Sequence, residues 1–444
     1  MTPQIYLNPP GSPYISTANS PLQGAGDQPS NLLVGLHNQP ERHQLAGHSS
    51  RSARDQVPLR LSTVRNPTIP FNRPTVVGRE FEYIREAIDN GHIASSGPFS
   101  NRAATVLRRE LSAAEALLTT SCTSALEMSA ILLDRRPGDT IIVPSFTFVT
   151  SALAFAREGF RIVFADIEPT TYGIDPEHVA ELIDEHTRAV VAVHYAGVAC
   201  DIEGLVSVLE GHERIDLIED NAHGLFGSHR GDPLGSFGRF STLSFHETKN
   251  IVCGEGGALI VNREPDIERA RVILDKGTNR QNFLMGQVDK YSWRDTGSSF
   301  GLSDLNAAFL LAQLEERASI LTKRRVVYET YMDRLTPVAE KLGLRLPALR
   351  SDGESGYHLF HILVPNSDIR PKVLSGLRER GIHATFHYVP LHSSEGGQRF
   401  ADRTTACPTT DDVSARLIRL PFFNELTEDN IDLVISELVH SMTD

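Results

Sequence analysis

Four short apolar runs, 141–143, 162–164, 190–193 and 217–218, recur in the first half of this chain. Amphipathic stretches of helical length precede the first, 123–133, and separate the rest: 147–157, 176–183 and 202–209. Runs this short, apolar throughout and not alternating, suit strands covered on both faces. Connections long enough to hold a helix make such strands parallel, because a parallel pair needs a crossover. The pattern predicts an α/β fold with a large, mainly parallel sheet and helices on both of its faces. Upstream, 79–90 and 101–111 read as further amphipathic helices. A long helical stretch, 302–335, is expected to join this domain to a smaller α+β domain. There, strand 358–364, helix 371–380, strand 382–386 and helix 429–441 follow one another.

The first 65 residues differ in texture, being rich in Pro, Ser, Asn, Gln and His and lacking apolar periodicity. Such a segment cannot bury enough apolar surface to offset its ordering entropy, so residues 1–65 are predicted to be a disordered extension. The expected organisation is therefore 1–65, a large domain over 66–322 and a small C-terminal domain over 323–444. The 43 Lys and Arg against 56 Asp and Glu give a net charge of −13. That balance argues against nucleic acid as a partner, although a small anion needs only local positive charge. The four cysteines are widely spaced, which gives no disulfide framework or zinc motif and suggests a reducing compartment. The most apolar stretch, 116–133, reads as helical but is interrupted by Thr119, Ser121 and Glu127, so no membrane span is expected. No secretory signal is read in residues 1–20, and a soluble cytoplasmic protein is the expectation.

No GxGxxG follows a strand and no GxxxxGK[ST] occurs. His383 and His387 have HxxxH spacing, but no Glu follows the first and the run is strand-like, so no metal site is expected. The informative stretches are Ile215-Asp-Leu-Ile-Glu-Asp220-Asn-Ala-His223 and Leu243-Ser-Phe-His-Glu-Thr-Lys249-Asn. Asp220 ends an apolar run and should emerge at the carboxyl edge of a parallel strand, where open α/β sheets place ligands. Lys249 follows another apolar run, 240–245, and precedes the glycine-rich turn Cys253-Gly-Glu-Gly-Gly257. An acid and a lysine so placed suit pyridoxal phosphate chemistry. The lysine forms a Schiff base with the aldehyde, and the carboxylate keeps the pyridine nitrogen protonated. On spacing alone, a solvated lysine and a helix-capping aspartate fit equally well.

Six ordered blocks add to this pair: Ser121-Cys-Thr-Ser-Ala-Leu126, Pro144-Ser-Phe-Thr-Phe-Val149, Glu219-Asp-Asn-Ala-His223, Ser244-Phe-His-Glu-Thr-Lys249-Asn250, Gly254-Glu-Gly-Gly257 and His387-Tyr-Val-Pro-Leu-His392. With them the chain from about residue 69 onward resembles the DegT/DnrJ/EryC1/StrS sugar aminotransferases, which have the type I PLP-enzyme fold. Within that family it is most similar to the transaminases acting on dTDP-4-keto-6-deoxyglucose. The blocks behind this are His194-Tyr-Ala-Gly-Val-Ala-Cys200, Ser244–Asn250, Lys276-Gly-Thr-Asn-Arg280, Gly286-Gln-Val-Asp-Lys-Tyr-Ser-Trp293 and Gly297-Ser-Ser-Phe300.

The resemblance implies a homodimer with shared active sites that takes an amino group from L-glutamate and gives it to C4 of the dTDP-sugar. It makes Lys249 the Schiff-base lysine and proton carrier, and Asp220 the partner of the pyridinium. His223 falls where a side chain meets the cofactor's phenolic oxygen. Phe148 and Ala222 would pack on the two ring faces, although a plain core phenylalanine is the alternative for Phe148. Cys122 and Thr123, at a helix N-terminus, and Ser244 would receive the phosphate. Ser299 stands where relatives carry an Asn that reaches the neighbouring subunit's phosphate, and Gly301 replaces a common Arg. Lys276, Arg280 and Lys290 are candidates for the nucleotide diphosphate, and His387, Tyr388 and His392 for the sugar. The segment Ser95-Ser-Gly-Pro98 resembles a loop near the sugar. A dehydratase of the same fold is disfavoured because those relatives replace the lysine with His. A 3-keto-sugar aminotransferase and a non-catalytic protein with this fold remain as alternatives.

Overall fold

The apolar runs become strands. In the computed structural model, which describes residues 69–443, one sheet holds β1 Glu115–Thr119, β2 Thr140–Pro144, β3 Arg161–Ala165, β4 Thr187–Val193, β5 Asp216–Asp220, β6 Phe240–Ser244 and β7 Gly257–Val261. Their order is β1-β7-β6-β5-β4-β2-β3. The pairs from β6 across to β3 are parallel, and β7 runs antiparallel to both of its neighbours. Successive side chains go to opposite faces, as the two-residue period of a strand demands. Ile141, Val143, Ala189 and Val191 pack with Leu126 and Phe155 on one face, whereas Ile142, Val190 and Ala192 pack with Val179, Ile202 and Leu205 on the other. Burying each such aliphatic side chain contributes roughly 1.5–3 kcal/mol, which holds helices against both faces.

The helices that matter here are α1 Glu80–Asp89, α2 Pro98–Glu110, α3 Cys122–Leu132, α4 Thr150–Arg157, α5 Pro176–Leu182 and α6 Ile202–Leu209, followed by α7 Asp304–Glu315 and α8 Arg317–Leu342. Helix α8 leads to a second hydrophobic core. Val327, Tyr331 and Leu335 pack there with Phe360, Val373, Leu420 and Val434. A two-stranded antiparallel sheet, β8 His361–Leu363 with β9 Leu417–Arg419, lies in this part, along with helices α9 Ile369–Glu379 and α10 Glu428–Thr443.

Three expectations need correction. The stretch 116–133 is not helical throughout. Its first residues form β1, and the chain turns at Thr120 and Ser121 before α3 begins. The helix expected over 302–335 is two helices that meet at Glu316. Residues 382–386 form no strand; the segment makes only single bridges, Ile382 to Ile69 and Thr385 to Arg419. The expected N-terminal extension, 1–65, lies outside the described residues. Among the described residues no helix is long and apolar enough to cross a membrane.

Candidate active site

Strand β5 ends with two successive carboxylates, and its period sends them to opposite sides. Glu219 is fully buried and accepts the amide protons of Gly235 (2.7 Å), Phe237 (2.8 Å) and Gly238 (2.7 Å). The ring Nε2 of His194 lies 2.9 Å from the same carboxylate. Burial opposes a charge on His194, but Cys200 and Glu219 outweigh it and raise its pKa to about 10. Glu219 thus fixes the strand end. Asp220 lines a cavity instead: its Oδ2 accepts from Ser151 Oγ on α4 at 2.6 Å, and its Oδ1 from the Ala222 N–H at 3.2 Å.

Lys249 sits in the connection between β6 and β7. Amide bonds from Phe245 to the Gly256 carbonyl (2.8 Å) and from Glu247 to the Gly254 carbonyl (3.0 Å) close this connection. The lysine's own N–H donates to the His246 carbonyl at 2.9 Å. Gly257 then lets β7 start directly beneath α3, since a Cβ there would stand 2.4 Å from Cys122 N and from Ser121 C. The Lys249 ammonium is pulled down to about 8, first by burial and further by Arg419, with Cys122 and Asp220 opposing.

The cavity measures about 490 Å³, and ten of the residues singled out in the sequence line it: Cys122, Thr123, Phe148, Asp220, Ala222, His223, Ser244, Lys249, His387 and Tyr388. At its edge Ser121 caps α3 by accepting the Ser124 N–H at 3.1 Å, which presents the helix's first turn to the cavity. The Phe148 side chain is 57 % exposed, so it is not a core phenylalanine; its ring is open to the cavity. His223 stacks on His358, with ring centroids 4.1 Å apart, and its Nε2 lies 3.5 Å from the Tyr388 hydroxyl. Its buried Nδ1 has no hydrogen-bond partner among the described residues. Burial, Lys249 and Arg419 hold His223 well below the usual histidine range, so its ring is neutral. Burial and the nearby Asp220 carboxylate push the Cys122 thiol up, which leaves it an unreactive thiol.

A family model, the DegT/DnrJ/EryC1/StrS aminotransferase family, matches residues 74–439. The chain belongs to this family. It is 27 % identical over 379 residues to the spore coat polysaccharide biosynthesis protein SpsC of Bacillus subtilis, covering 84 % of this chain and 96 % of that protein. Among solved structures, the aminotransferase TlmJ from Streptoalloteichus hindustanus is 27 % identical with a TM-score of 0.77, over 84 % of this chain and 98 % of that one. AtS13 from Actinomadura melliaura is 28 % identical with a TM-score of 0.76, over 83 % and 98 %. The chain is thus a sugar aminotransferase of this family, and its cofactor is pyridoxal 5′-phosphate.

The cavity of this DegT/DnrJ/EryC1/StrS aminotransferase fits that cofactor. It offers an acid, a lysine, an open aromatic face, a helix N-terminus and the unpartnered ring nitrogen of His223. Five candidates stand outside the cavity. Lys276 contacts Asp275 at 2.9 Å and Arg280 approaches the same carboxylate at 3.7 Å; both are exposed, as are Lys290 and Ser299. His392 is held elsewhere, its Nδ1 lying 2.7 Å from Ser145 Oγ and its Nε2 3.6 Å from Asp411. Segment 95–98 leads into α2, whose first amides, from Phe99 and Ser100, donate to Asp304. Ser96 lines a different cavity together with Gly301. A Cβ on Gly301 would stand 2.8 Å from that of Ser95, so no arginine fits there without movement. Among the described residues no cluster of metal-ligating side chains occurs.

Arg419, Ser151, His358 and Phe71 also shape the site, and the sequence did not mark them. Only Arg419 carried a signal, as a lone charge within the apolar run 417–423.

Proposed function

We propose that the chain transfers the amino group of L-glutamate to C4 of dTDP-4-dehydro-6-deoxyglucose, giving a dTDP-4-amino-4,6-dideoxyhexose (galacto or gluco) and 2-oxoglutarate. The observation that carries the chemistry is the meeting of Lys249 and Asp220 in one cavity, with the lysine brought to about 8. A lysine so shifted is neutral in a useful fraction of molecules near neutral pH, as a general base must be. Bound pyridoxal phosphate supplies the electron sink for the carbanion at the donor's α-carbon. Asp220, oriented by Ser151 and the Ala222 amide, holds the proton on the pyridine nitrogen. With the cofactor bound, Lys249 Nζ would take the donor's α-proton and hold it for return on the far side of the amino nitrogen. In the second half-reaction it carries a proton the other way. With the cofactor bound, Cys122, Thr123 and Ser244 would receive the phosphate, Phe148 and Ala222 would border the ring, and neutral His223 would offer Nδ1 to the phenolic oxygen. His387 and Tyr388 face the sugar.

The choice of a 4-keto sugar nucleotide rests on the resemblance of the blocks at 194–200, 276–280, 286–293 and 297–300. We infer a homodimer in which Ser299, Lys276, Arg280 and Lys290 serve the partner's cavity. The exposed apolar side chains Leu284, Met285 and Trp293 in the same segment support this, since such a patch favours coverage. The four cysteines, free in this structure, suit the reducing cytoplasm where we place the enzyme. NMR of the product formed from PLP, L-glutamate and the keto sugar nucleotide tests the proposal. An amine on C4 supports it, an amine on C3 overturns the position, and an absence of amino sugar overturns the substrate.

A further inference from the structure

His223 has little of its own to fix its ring. Nδ1 has no partner among the described residues, and Nε2 lies 3.5 Å from the Tyr388 hydroxyl, at the limit of a hydrogen bond. A neutral ring that accepts from Tyr388 at Nε2 keeps its hydrogen on Nδ1. The flat contact is with His358, whose ring centroid is 4.1 Å away with the planes 29° apart; His387 is nearly parallel but 6.1 Å off. His358 is itself held from three directions. Its N–H donates to the Ala196 carbonyl at 3.1 Å. Its Nδ1 lies 3.1 Å from Asn250 Oδ1, while Asn250 Nδ2 donates to the Gly356 carbonyl, which leaves Oδ1 as the atom facing the ring. His358 Nδ1 therefore bears its hydrogen. Arg324 of α8, buried, donates from Nε to the Tyr357 carbonyl at 2.8 Å and from Nη2 to the His358 carbonyl at 2.6 Å. Tyr357 has a φ of 48°, a left-handed backbone that side chains other than glycine rarely adopt. A buried guanidinium on two consecutive carbonyls and a strained residue are both costly, and together they fix the backbone that carries His358. Burial, His223, Lys249, Arg324 and His387 hold His358 well below the usual histidine range, so neither stacked ring carries a charge that repels the other.

We propose that His358 is a positioning residue for His223, whose ring it holds by stacking in the plane from which Nδ1 meets the cofactor's phenolic oxygen. The proposal rests on the role given to His223 above. Asn250 directly follows Lys249, so one short segment sets both the lysine and, through His358, the group that faces the phenolic oxygen. Without the flat contact, the His223 imidazole can turn about its Cβ–Cγ bond, a torsion with broad wells, and present Cδ2 in place of Nδ1. The phenolic oxygen then loses a donor and holds its charge less readily.

The test follows the visible absorbance of the PLP-loaded full chain over a pH series, in the wild type, His223→Phe, His358→Leu, His358→Phe and the double variant His223→Phe/His358→Leu. Loss of the donor should raise the absorbance midpoint by about one pH unit in His223→Phe. His358→Leu should give at least about half of that rise with PLP content within about twofold, whereas His358→Phe, which keeps a flat face, should give less than about a fifth of it. Because His358 acts through His223, the double variant should titrate with His223→Phe alone, to within about 0.2 unit. If His358→Leu does not fold, Asn250→Ala takes its place: it releases the His358 ring and should raise the midpoint in the wild-type background but not in His223→Phe. An unmoved midpoint in His358→Leu, or a shift of equal size with and without His223, overturns the proposal. An unmoved midpoint in His223→Phe overturns the role given to His223, and the proposal with it.

Discussion

Burial sets the reactivity of Lys249, and that has a measurable size. An ordinary lysine titrates at 10.5, and this one at about 8. At pH 7.5 about a quarter of the Lys249 side chains are then neutral, against about 0.1 % for an exposed lysine, roughly a 200-fold difference. The same displacement bears on stability. Between pH 8 and 10.5 the unfolded chain binds the proton that the folded chain has released, so stability rises with pH across that window. Below pH 8 the penalty is fully present, at about 3 kcal/mol. Competitive acetylation of the cofactor-free chain over a pH series, read peptide by peptide by mass spectrometry, should show Lys249 titrating near pH 8. In parallel, Lys249→Met should stabilise the cofactor-free chain at pH 7 and lose that advantage as the pH approaches 10.5. A Lys249 midpoint near 10.5, with no pH-dependent gain from the methionine, would refute the reasoning.

Three further outcomes follow from the geometry. Gly257→Ala forces a Cβ to 2.4 Å from the backbone at Ser121 and Cys122. It should cost about 1–3 kcal/mol of stability and weaken PLP about tenfold in an absorbance titration, because the displaced backbone is the turn to which we assign the phosphate. Glu219→Gln turns an amide NH₂ toward N–H groups that now donate to a carboxylate; an unfolding midpoint in urea should reveal a loss of about 3–5 kcal/mol. Replacing Lys276, Arg280 and Lys290 together by Ala should raise the sugar-nucleotide KM at least about tenfold and leave PLP affinity within about twofold. If neither moves, the diphosphate lies elsewhere.

The sheet was legible because its central strands are buried on both faces and bounded by helices with clear amphipathic periods. The proposed catalytic pair was legible for a related reason, since Asp220 closes one such strand and Lys249 follows another. What the sequence hid came from contacts between distant segments. Strand β1, Glu115–Thr119, runs into α3 with only Thr120 and Ser121 between them, so the apolar stretch looks unbroken. Residues 382–386 look like a strand, but only single bridges to Ile69 and Arg419 engage them. His387 and His392 share one motif, yet only His387 reaches the cavity, because the chain turns at 391–393 and His392 bonds Ser145 instead. Ser151 and His358 act through Asp220 and His223, and no local pattern announces a residue whose role is to hold another in place.

The central claim is that this cavity holds pyridoxal phosphate on Lys249. Reducing the PLP-loaded chain with borohydride and mapping the modified peptide tests it directly. The account predicts one pyridoxyl group, on Lys249 Nζ, and none in Lys249→Ala. A pyridoxyl group on another lysine of the native chain, or no incorporation at all, would contradict it.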